Sequence, residues 1–235
     1  VVDSVVRCAR KGVKFVQIIT SGFSETGNTE EERKIVAAAR ETGMRVLGPN
    51  IFGLYSSEAS LNSTFSATGI QPGHVAILTQ SGALGIALIG KTAVENIGLS
   101  AIVSIGNKCD IDEADLLEYL IRHDGTRVIL MYIEGVKNGD RLIEALMRTT
   151  RHKPVVVIKS GRSKRGAMAA ASHTGSLAGS DDIFDAIMKQ CGVIRADSIE
   201  DAFNWCKFLA FSPKPKGTKS VIITNGGGVG VMATD

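Results

Sequence analysis

Apolar runs of strand length alternate with segments of helical periodicity along most of the chain, and this alternation strongly constrains the fold. The run "HVAILTQ" (His74 to Gln80) is followed by the helical segment "GALGIALIGKTAVENIG" and then by the apolar run "LSAIVSIG". Strand, helix and strand in this order are typical of parallel βαβ units. The runs are apolar on both faces, as strands covered by helices on each side require. The pattern predicts an α/β protein built from doubly wound parallel sheets.

Two such sheets are predicted in succession, followed by the start of a third α/β domain. The first block contains the apolar run "VKFVQIIT", the helical segment "TEEERKIVAAARETG" and the short strand "MRVLGPN". In that helix Thr29 and Glu32 have capping-box spacing, and Gly43 is expected to end it. Residues 51–73 are rich in Ser, Thr, Asn and Gly without a sustained period, which predicts a connection between domains.

The expected domain bounds are 1–69, 70–212 and 213–235. The second block ends with the helical segment "SIEDAFNWCKFLAF", and the Pro/Lys segment "SPKPKGTK" is typical of a linker. The last stretch, "SVIITNGGGVGVMATD", predicts a further strand and a glycine turn. Because that βα unit is opened and not closed, and because the first block begins mid-domain, we expect a segment of a longer protein.

Composition narrows the class of protein. The chain is 44% hydrophobic and 22% charged, values that are typical of a globular protein. A net charge of +3 with only 5% aromatic residues argues against nucleic-acid binding. No apolar run approaches the ~18 residues of a membrane span, and no signal peptide is recognisable, so a cytoplasmic protein is expected. The cysteines are far apart without a CxxC pair, which predicts packed thiols and no metal site; they are Cys8, Cys109, Cys191 and Cys206.

Ligands of doubly wound sheets bind at the carboxyl ends of the strands, so the residues that follow each strand are the candidates. Ser81, Gly82 and Ala83 follow "HVAILTQ" and open a helix, whose free N–H groups and positive end would bind an anion such as phosphate. A serine N-cap with glycines for close packing explains the same residues equally well. Thr79 stands where a hydrolase nucleophile elbow needs glycine, which excludes that reading of Ser81.

Two further strand ends carry chemically capable side chains. Glu134 follows "RVILMYI", where a solvated turn carboxylate is the simpler interpretation. His173 lies in a stretch of about twenty residues rich in Gly, Ala and Ser after "PVVVIK", and a loop of that length is uncommon in compact domains unless it is functional. Together the strand ends supply a phosphate site, a carboxylate and an imidazole, which points to a phosphohistidine intermediate at His173.

These motifs resemble the NDP-forming acyl-CoA synthetases. "SHTGSLAGSDD" is similar to the phosphohistidine loop of that family, "TQSGALG" to its phosphate-binding helix start, and "YIEG" to the strand end whose glutamate supports the phosphohistidine. The resemblance implies a Rossmann-like CoA-binding domain, present only in its C-terminal half, followed by a flavodoxin-like ligase domain. It makes His173 and Glu134 catalytic and adds Thr174 and Gly175 to the phosphate-binding residues.

The same resemblance implies substrates and partners. "ITSGFSE" and "GPNIFGLYS" are similar to the second half of the CoA-binding domain, which would place near the CoA thiol and the acyl group Thr20, Ser21, Gly22, Pro49 and Asn50. ADP or ATP with Mg²⁺ would be bound by an ATP-grasp domain on a beta subunit or fused segment, and an oligomer is expected. The implied reaction converts acyl-CoA, phosphate and ADP into a carboxylic acid, CoA and ATP.

The sequence is also compatible with a second function. Regulatory modules that sense CoA or acyl-CoA, such as those of some protein acetyltransferases, resemble the chain over both domains and have no phosphoryl chemistry. Such modules tend to lose the loop histidine. The presence of His173 together with Glu134 favours the enzyme.

Overall fold

The structure is a computed structural model that describes residues 1–66, 69–163, 165–166, 168, 180–213 and 215–235. Its helices are α1 (Val2–Arg10), α2 (Thr29–Thr42), α3 (Gly82–Val94), α4 (Glu113–Ile121), α5 (Gly139–Thr150), α6 (Asp181–Gln190), α7 (Ile199–Phe211) and α8 (Gly227–Thr234). Its strands are β1 (Phe15–Gln17), β2 (Arg45–Leu47), β3 (Leu54–Ser56), β4 (Leu61–Asn62), β5 (Pro72–Thr79), β6 (Leu99–Ser104), β7 (Val128–Ile133), β8 (Val155–Lys159) and β9 (Ile194–Arg195).

The larger sheet confirms the predicted doubly wound α/β class. Its strand order is β4-β3-β6-β5-β7-β8-β9, and the strands from β6 to β9 run parallel. Of the parallel strands in this sheet, β5 comes first in the sequence and lies between β6 and β7, which is the flavodoxin-like order with its switch point at β5. The carboxyl ends of β5 and β7, which precede the predicted site residues Ser81 and Glu134, therefore lie at one edge of the sheet. The carboxyl end of the neighbouring strand β6 lies at the same edge.

Helices cover both faces of this sheet, as the uniformly apolar strands require. On one face the buried side chains Leu117 of α4, Leu146 of α5 and Met188 of α6 pack against Met131 of β7 and its neighbours. On the other face α3 and α7 pack against the alternate residues of the same strands. The core therefore consists of two apolar layers separated by the sheet.

A smaller two-stranded sheet precedes it. β1 and β2 pair in parallel, with Val16 opposite Val46, and the helices α1 and α2 pack around buried Ile35 and Val46. α2 ends at Gly43, as predicted, in the left-handed conformation that glycine adopts readily (φ 70°). The expected bounds of the domains stay predictions.

The two sheets are joined through the first residue of β2, Arg45. Arg45 forms ion pairs with Asp110 (2.9 Å) and with Asp115 (3.1 Å), and Arg141 of α5 also binds Asp115 (2.7 Å). Burial by itself would raise the pKa of Asp115, but the hydrogen bonds from Arg141 and Arg45 hold that pKa well below its usual value. Asp110 also accepts the backbone N–H of Val46 (2.8 Å).

The structure corrects the prediction for residues 51–73. This stretch is more than a connection, because β3 pairs antiparallel with β6 and β4 pairs antiparallel with β3 at the edge of the larger sheet. Strands this short carry too few residues for a periodic apolar pattern, so their pairing depends on the edge that β6 offers. These edge strands come from the part of the chain assigned to the first predicted domain.

Two local predictions are also wrong. Asn28, one residue before Thr29, is the N-cap of α2 and makes no side-chain cap. Glu32 instead accepts hydrogen bonds from the backbone N–H of Ser24 (3.3 Å) and from the side chain of Asn107 (3.1 Å). The strand predicted at "SVIIT" does not form, because no neighbouring strand among the described residues offers it hydrogen bonds, and Ile223 is 92% exposed.

None of the helices that the structure describes is long and apolar enough to cross a bilayer. The four cysteines are free thiols.

Gly85 allows α3 to lie directly on the sheet. A Cβ added at Gly85 would lie 2.2 Å from Cε1 of Phe52 and 2.9 Å from Cγ2 of Thr79, both fixed in the core, whereas one added at Gly90 would meet no atom within 4 Å. We expect Gly85→Ala to lower the free energy of unfolding by ~1–3 kcal/mol through overpacking. Gly90→Ala, the matched control in the same helix, should raise it by about 0.5–1 kcal/mol. Urea denaturation of both variants measures the difference, and equal effects would contradict this close packing.

Candidate active site

A cleft of about 840 Å³ opens at the carboxyl ends of β5, β6 and β7, where α2 faces the larger sheet. Five of the predicted site residues line it, namely Asn50, Ser81, Gly82, Ala83 and Glu134. They come from the loop after β2, the start of α3 and the end of β7. The fold therefore brings phosphate-binding, carboxylate and CoA-side candidates into one cavity, as the strand-end argument predicts.

The start of α3 has the form of an anion site. Ser81 is the N-cap, in extended conformation, and its hydroxyl accepts the backbone N–H of Leu84 (3.3 Å). The N–H groups of Gly82 and Ala83, in the first turn, have no partner within the helix. No acidic side chain occupies that turn, so the positive end of the helix is not neutralised. The N-cap role of Ser81 and the anion site are compatible, because the capping hydroxyl uses only one of the free N–H groups.

Glu134 directly follows β7 and is 8% exposed. Its carboxylate lies beside the hydroxyl of Tyr132. Burial, together with the charge of Glu134, raises the pKa of Tyr132 despite an opposing contribution from Ser160. The interpretation of Glu134 as a solvated turn residue is therefore wrong. A buried carboxylate at the edge of a polar cleft is suited to accept an N–H from an imidazole and to stabilise its positive charge.

Three polar residues that the sequence argument gave no role support this edge. Gln80 bonds through its side chain to the backbone of Glu134 and Gly135, and Lys108 forms a buried ion pair with Glu113 (2.8 Å). Part of the sequence signal was present, because Gln80 directly follows β5 and Lys108 lies four residues after the end of β6. Their partners lie up to 55 residues away along the chain, so local patterns could not reveal the contacts.

The opposite wall of the cleft is acidic and amide-rich. Asn107 donates to the carboxylates of Glu25 and Glu32, and Asn50 donates to the side-chain oxygen of Asn107 (3.4 Å). Burial alone would raise the pKa of Glu25, but the hydrogen bonds from Asn107 and from the amides of Gly22 and Phe23 lower it below its usual value. This wall holds α2 against the loop after β6.

The predicted CoA-side residues lie together at the ends of β1 and β2. Thr20, Ser21 and Gly22 are exposed, and the carbonyl of Thr20 accepts the N–H of Asn50 (3.0 Å). Pro49 is buried beside the cleft, and its carbonyl accepts the N–H of Asn107 (2.9 Å). Of these five residues only Asn50 lines the cleft itself.

Of the predicted histidine loop, the structure describes segments towards its two ends. His173, Thr174 and Gly175 lie outside the described residues. The chain leaves β8 at Lys159, which pairs with Ile133 directly before Glu134, and returns at Asp181, the first residue of α6. The flanks are tied together, since the guanidinium of Arg162 lies 3.7 Å from the carboxylate of Asp181. The loop therefore starts beside the strand end that carries Glu134.

The family follows from comparison with known proteins. Residues 72–209 match the model described as the succinyl-CoA ligase like flavodoxin domain, a span that includes β5 to β9. The chain belongs to this family. The match confirms both the resemblance drawn from the motifs and the flavodoxin-like order of the larger sheet.

Relatives extend the match over nearly the whole chain. It is 57% identical to the alpha subunit of ADP-forming acetate–CoA ligase I of Pyrococcus furiosus, over 97% of the chain and 50% of that protein. It is 40% identical to the ADP-forming 4-hydroxybutyrate–CoA ligase of Nitrosopumilus maritimus, over 97% of the chain and 34% of that protein.

A solved structure agrees with these relatives. Acetyl-coenzyme A synthetase 1 of Ca. Korarchaeum cryptofilum, described as dinucleotide forming and in complex with phosphate and ADP, superposes with a TM-score of 0.94 at 50% identity. The alignment covers 99% of the chain described here and 50% of that one. The chain thus spans about half the length of the alpha subunit and of this synthetase.

Cys109 lines the cleft, and its surroundings disfavour the thiolate form. Burial, with smaller contributions from the charges of Glu32 and Asp110, raises the pKa of Cys109 to about 12. Its reactive thiolate therefore becomes abundant only as the pH approaches that value. We expect iodoacetamide at pH 8.5 to alkylate Cys109 in the native protein ~100-fold or more slowly than in the urea-unfolded chain, measured by peptide mass spectrometry. Equal rates in the two states would contradict this environment.

Proposed function

We propose that the chain is the phosphohistidine-carrying half of an NDP-forming acid–CoA ligase, which converts acyl-CoA, phosphate and ADP into a carboxylic acid, CoA and ATP. The observation that carries the proposal is the cleft itself, where the open N-terminus of α3 and the buried carboxylate of Glu134 lie at strand ends beside the start of the His173 loop. The named relatives are ADP-forming acid–CoA ligases, which supports this class of reaction.

The reaction takes place in three transfers. A phosphate oxygen attacks the carbonyl carbon of the acyl-CoA, the C–S bond breaks and CoA leaves as the thiolate. A ring nitrogen of His173 then attacks the phosphorus of the acyl phosphate, and the P–O bond to the acyl group breaks to release the carboxylate. Finally an oxygen of the terminal phosphate of ADP attacks the phosphohistidine, the P–N bond breaks and neutral imidazole is restored.

Residues of the chain have separate tasks in this scheme. The amides of Gly82 and Ala83, at the positive end of α3, hold the phosphoryl oxygens together with Ser81. Glu134 accepts the N–H of the imidazole ring and stabilises its positive charge while the phosphoryl group is attached. Thr174 and Gly175 complete the phosphate site from the loop.

CoA and the acyl group are assigned to the loops after β1 and β2. Thr20, Ser21, Gly22 and Pro49 form the outer part of this region, and Asn50 reaches the cleft. Relatives of the chain act on different acids, acetate and 4-hydroxybutyrate, so the proposal is limited to a small carboxylic acid. The two-stranded sheet is interpreted as the C-terminal half of the CoA-binding domain.

The phosphoryl acceptor requires a partner. We assign ADP and ATP to an ATP-grasp domain on a beta subunit or a fused segment, where Mg²⁺ would neutralise phosphate charge. The proposed boundaries are 1–69 for the CoA half, 70–212 for the ligase domain and 213–235 for the linker and next domain, and the family match over 72–209 supports the second of these. We propose an oligomeric, cytoplasmic enzyme.

His173→Asn tests the proposal. The complete enzyme, incubated with radiolabelled ATP and Mg²⁺, should become labelled with phosphate that is acid-labile and base-stable. His173→Asn should abolish this label, because an amide cannot form the P–N bond. Exposed His152 supplies the control, and His152→Asn should retain the label of the wild type. Label of wild-type amount on His173→Asn would overturn the assignment.

A further inference from the structure

The side chains of Gln80, Lys108 and Glu113 meet next to the backbone of Glu134 and Gly135, and the proposed function assigns no role to any of the three. The ammonium of Lys108, after β6, lies 2.8 Å from the carboxylate of Glu113 and 2.6 Å from the carbonyl of Gly135. The side chains of Lys108 and Glu113 are 5% and 4% exposed. Gln80, after β5, donates to the same carboxylate (3.0 Å). Residues after β5 and β6 therefore converge on Glu113, in the first turn of α4, and both also bind the carbonyl of Gly135 after β7.

Where the backbone hydrogen bonds between β5 and β7 end, the carboxamide of Gln80 makes hydrogen bonds to the chain after β7 in their place. β5 and β7 pair as far as Thr79 and Tyr132. Beyond that point the side-chain oxygen of Gln80 accepts the N–H groups of Glu134 and Gly135, and its nitrogen donates to the carbonyl of Gly135 (2.8 Å). The amide thus bonds to Gly135 in both directions, as a strand backbone would. The orientation of the amide is fixed, since exchanging its oxygen and nitrogen would oppose donors to donors.

The backbone of Lys108 is held in an unfavourable conformation at this point. Its φ is +54°, in the left-handed region that residues with a side chain rarely adopt. Lys137 donates to the carbonyl of Lys108 (3.2 Å), and the buried ammonium binds Glu113 and Gly135. Strain of this kind persists where surrounding contacts over-determine the geometry, and it is concentrated at functional sites.

We propose that Gln80, supported by the Lys108–Glu113 ion pair, is a positioning residue that fixes the carboxylate of Glu134 relative to the phosphate site at the start of α3. This inference rests on the proposed function. Gln80 directly precedes Ser81 in sequence and grips the backbone of Glu134 through its side chain. One residue therefore links the helix start, whose amides hold the phosphoryl group, to the backbone that carries the carboxylate of Glu134.

The test is a double-mutant cycle between Gln80 and Glu134 in the complete enzyme. We expect Gln80→Ala to lower the rate of phosphohistidine formation by ~10-fold to 100-fold, as displacements of about 1 Å at a reacting centre do, with KM for CoA changed less than about 3-fold. In a Glu134→Ala background the same substitution should have an effect of less than about 2-fold, because Gln80 acts through Glu134.

The matched control is Gln17, a partly buried glutamine that donates to the hydroxyl of Ser63 (3.0 Å) far from Glu134 in the chain. Gln17→Ala should leave the rate of phosphorylation within about 2-fold of the wild type. If it lowered that rate as much as Gln80→Ala does, the effect would be a general loss of stability and the proposal would be overturned.

Gln80→Glu gives a readout that a merely structural role would not move, and it keeps the shape if Gln80→Ala does not fold. Its carboxylate can still accept the N–H of Gly135 but cannot donate to Glu113 or to the carbonyl of Gly135. Protonation restores one donor, so the phosphorylation rate of Gln80→Glu relative to wild type should rise as the pH is lowered from 8 to 6. A ratio independent of pH would contradict the proposal.

The outcomes separate this inference from the proposed function. If labelling requires His173 and Glu134 but the effects of Gln80→Ala and Glu134→Ala multiply independently, the proposed function stands and the positioning role is wrong. If His173→Asn is labelled as well as the wild type, the proposed function itself fails, whatever the cycle shows.

Discussion

The position of β5 between β6 and β7 is the constraint on which the rest of the structure depends. Parallel strands place their carboxyl ends at one edge, and the reversal of winding at β5 opens a crevice there between helices that diverge to opposite faces. Ser81 and Glu134 reach this crevice from neighbouring strands, although 53 positions separate them in sequence. The apolar layers on both faces of the sheet keep this arrangement rigid.

Electrostatics divides the crevice into two parts. On the α3 side the helix start presents free amides with no acidic residue in its first turn, which favours an anion. On the α2 side the carboxylates of Glu25 and Glu32 both accept hydrogen bonds from the side-chain amide of Asn107. These contacts hold the small sheet to the large one. A phosphoryl group is therefore favoured beside α3, next to the buried Glu134.

The sequence predicted the elements whose signals are local. The uniformly apolar strands, the N-cap at Ser81 and the end of α2 at Gly43 all follow from neighbouring residues. The edge strand β3 was missed, because three residues are too few to show a period and its pairing depends on β6. The Thr29–Glu32 capping box was wrong, because Glu32 accepts hydrogen bonds from Ser24 and Asn107 instead of from the start of its own helix.

The candidate site likewise combines features that local sequence signals predict with features that depend on distant contacts. Strand-end reasoning placed Ser81 and Glu134 in one cleft, since any parallel sheet brings such ends together. It gave no role to Lys108 or Glu113, whose ion pair depends on the conformation of the β6–α4 loop and on the left-handed backbone at Lys108. Sequence patterns identify which residues face a crevice, whereas their mutual orientation is set by contacts between distant segments.

A crystal structure of the phosphorylated complete enzyme tests the central claim most directly. With the loop docked in the cleft, the account predicts that the phosphoryl oxygens of phosphohistidine 173 lie ~3 Å from the amide nitrogens of Gly82 and Ala83, and that the free ring nitrogen donates to Glu134 at a similar distance. A docked phosphohistidine held by other groups, with Glu134 beyond ~6 Å of the ring, would contradict it.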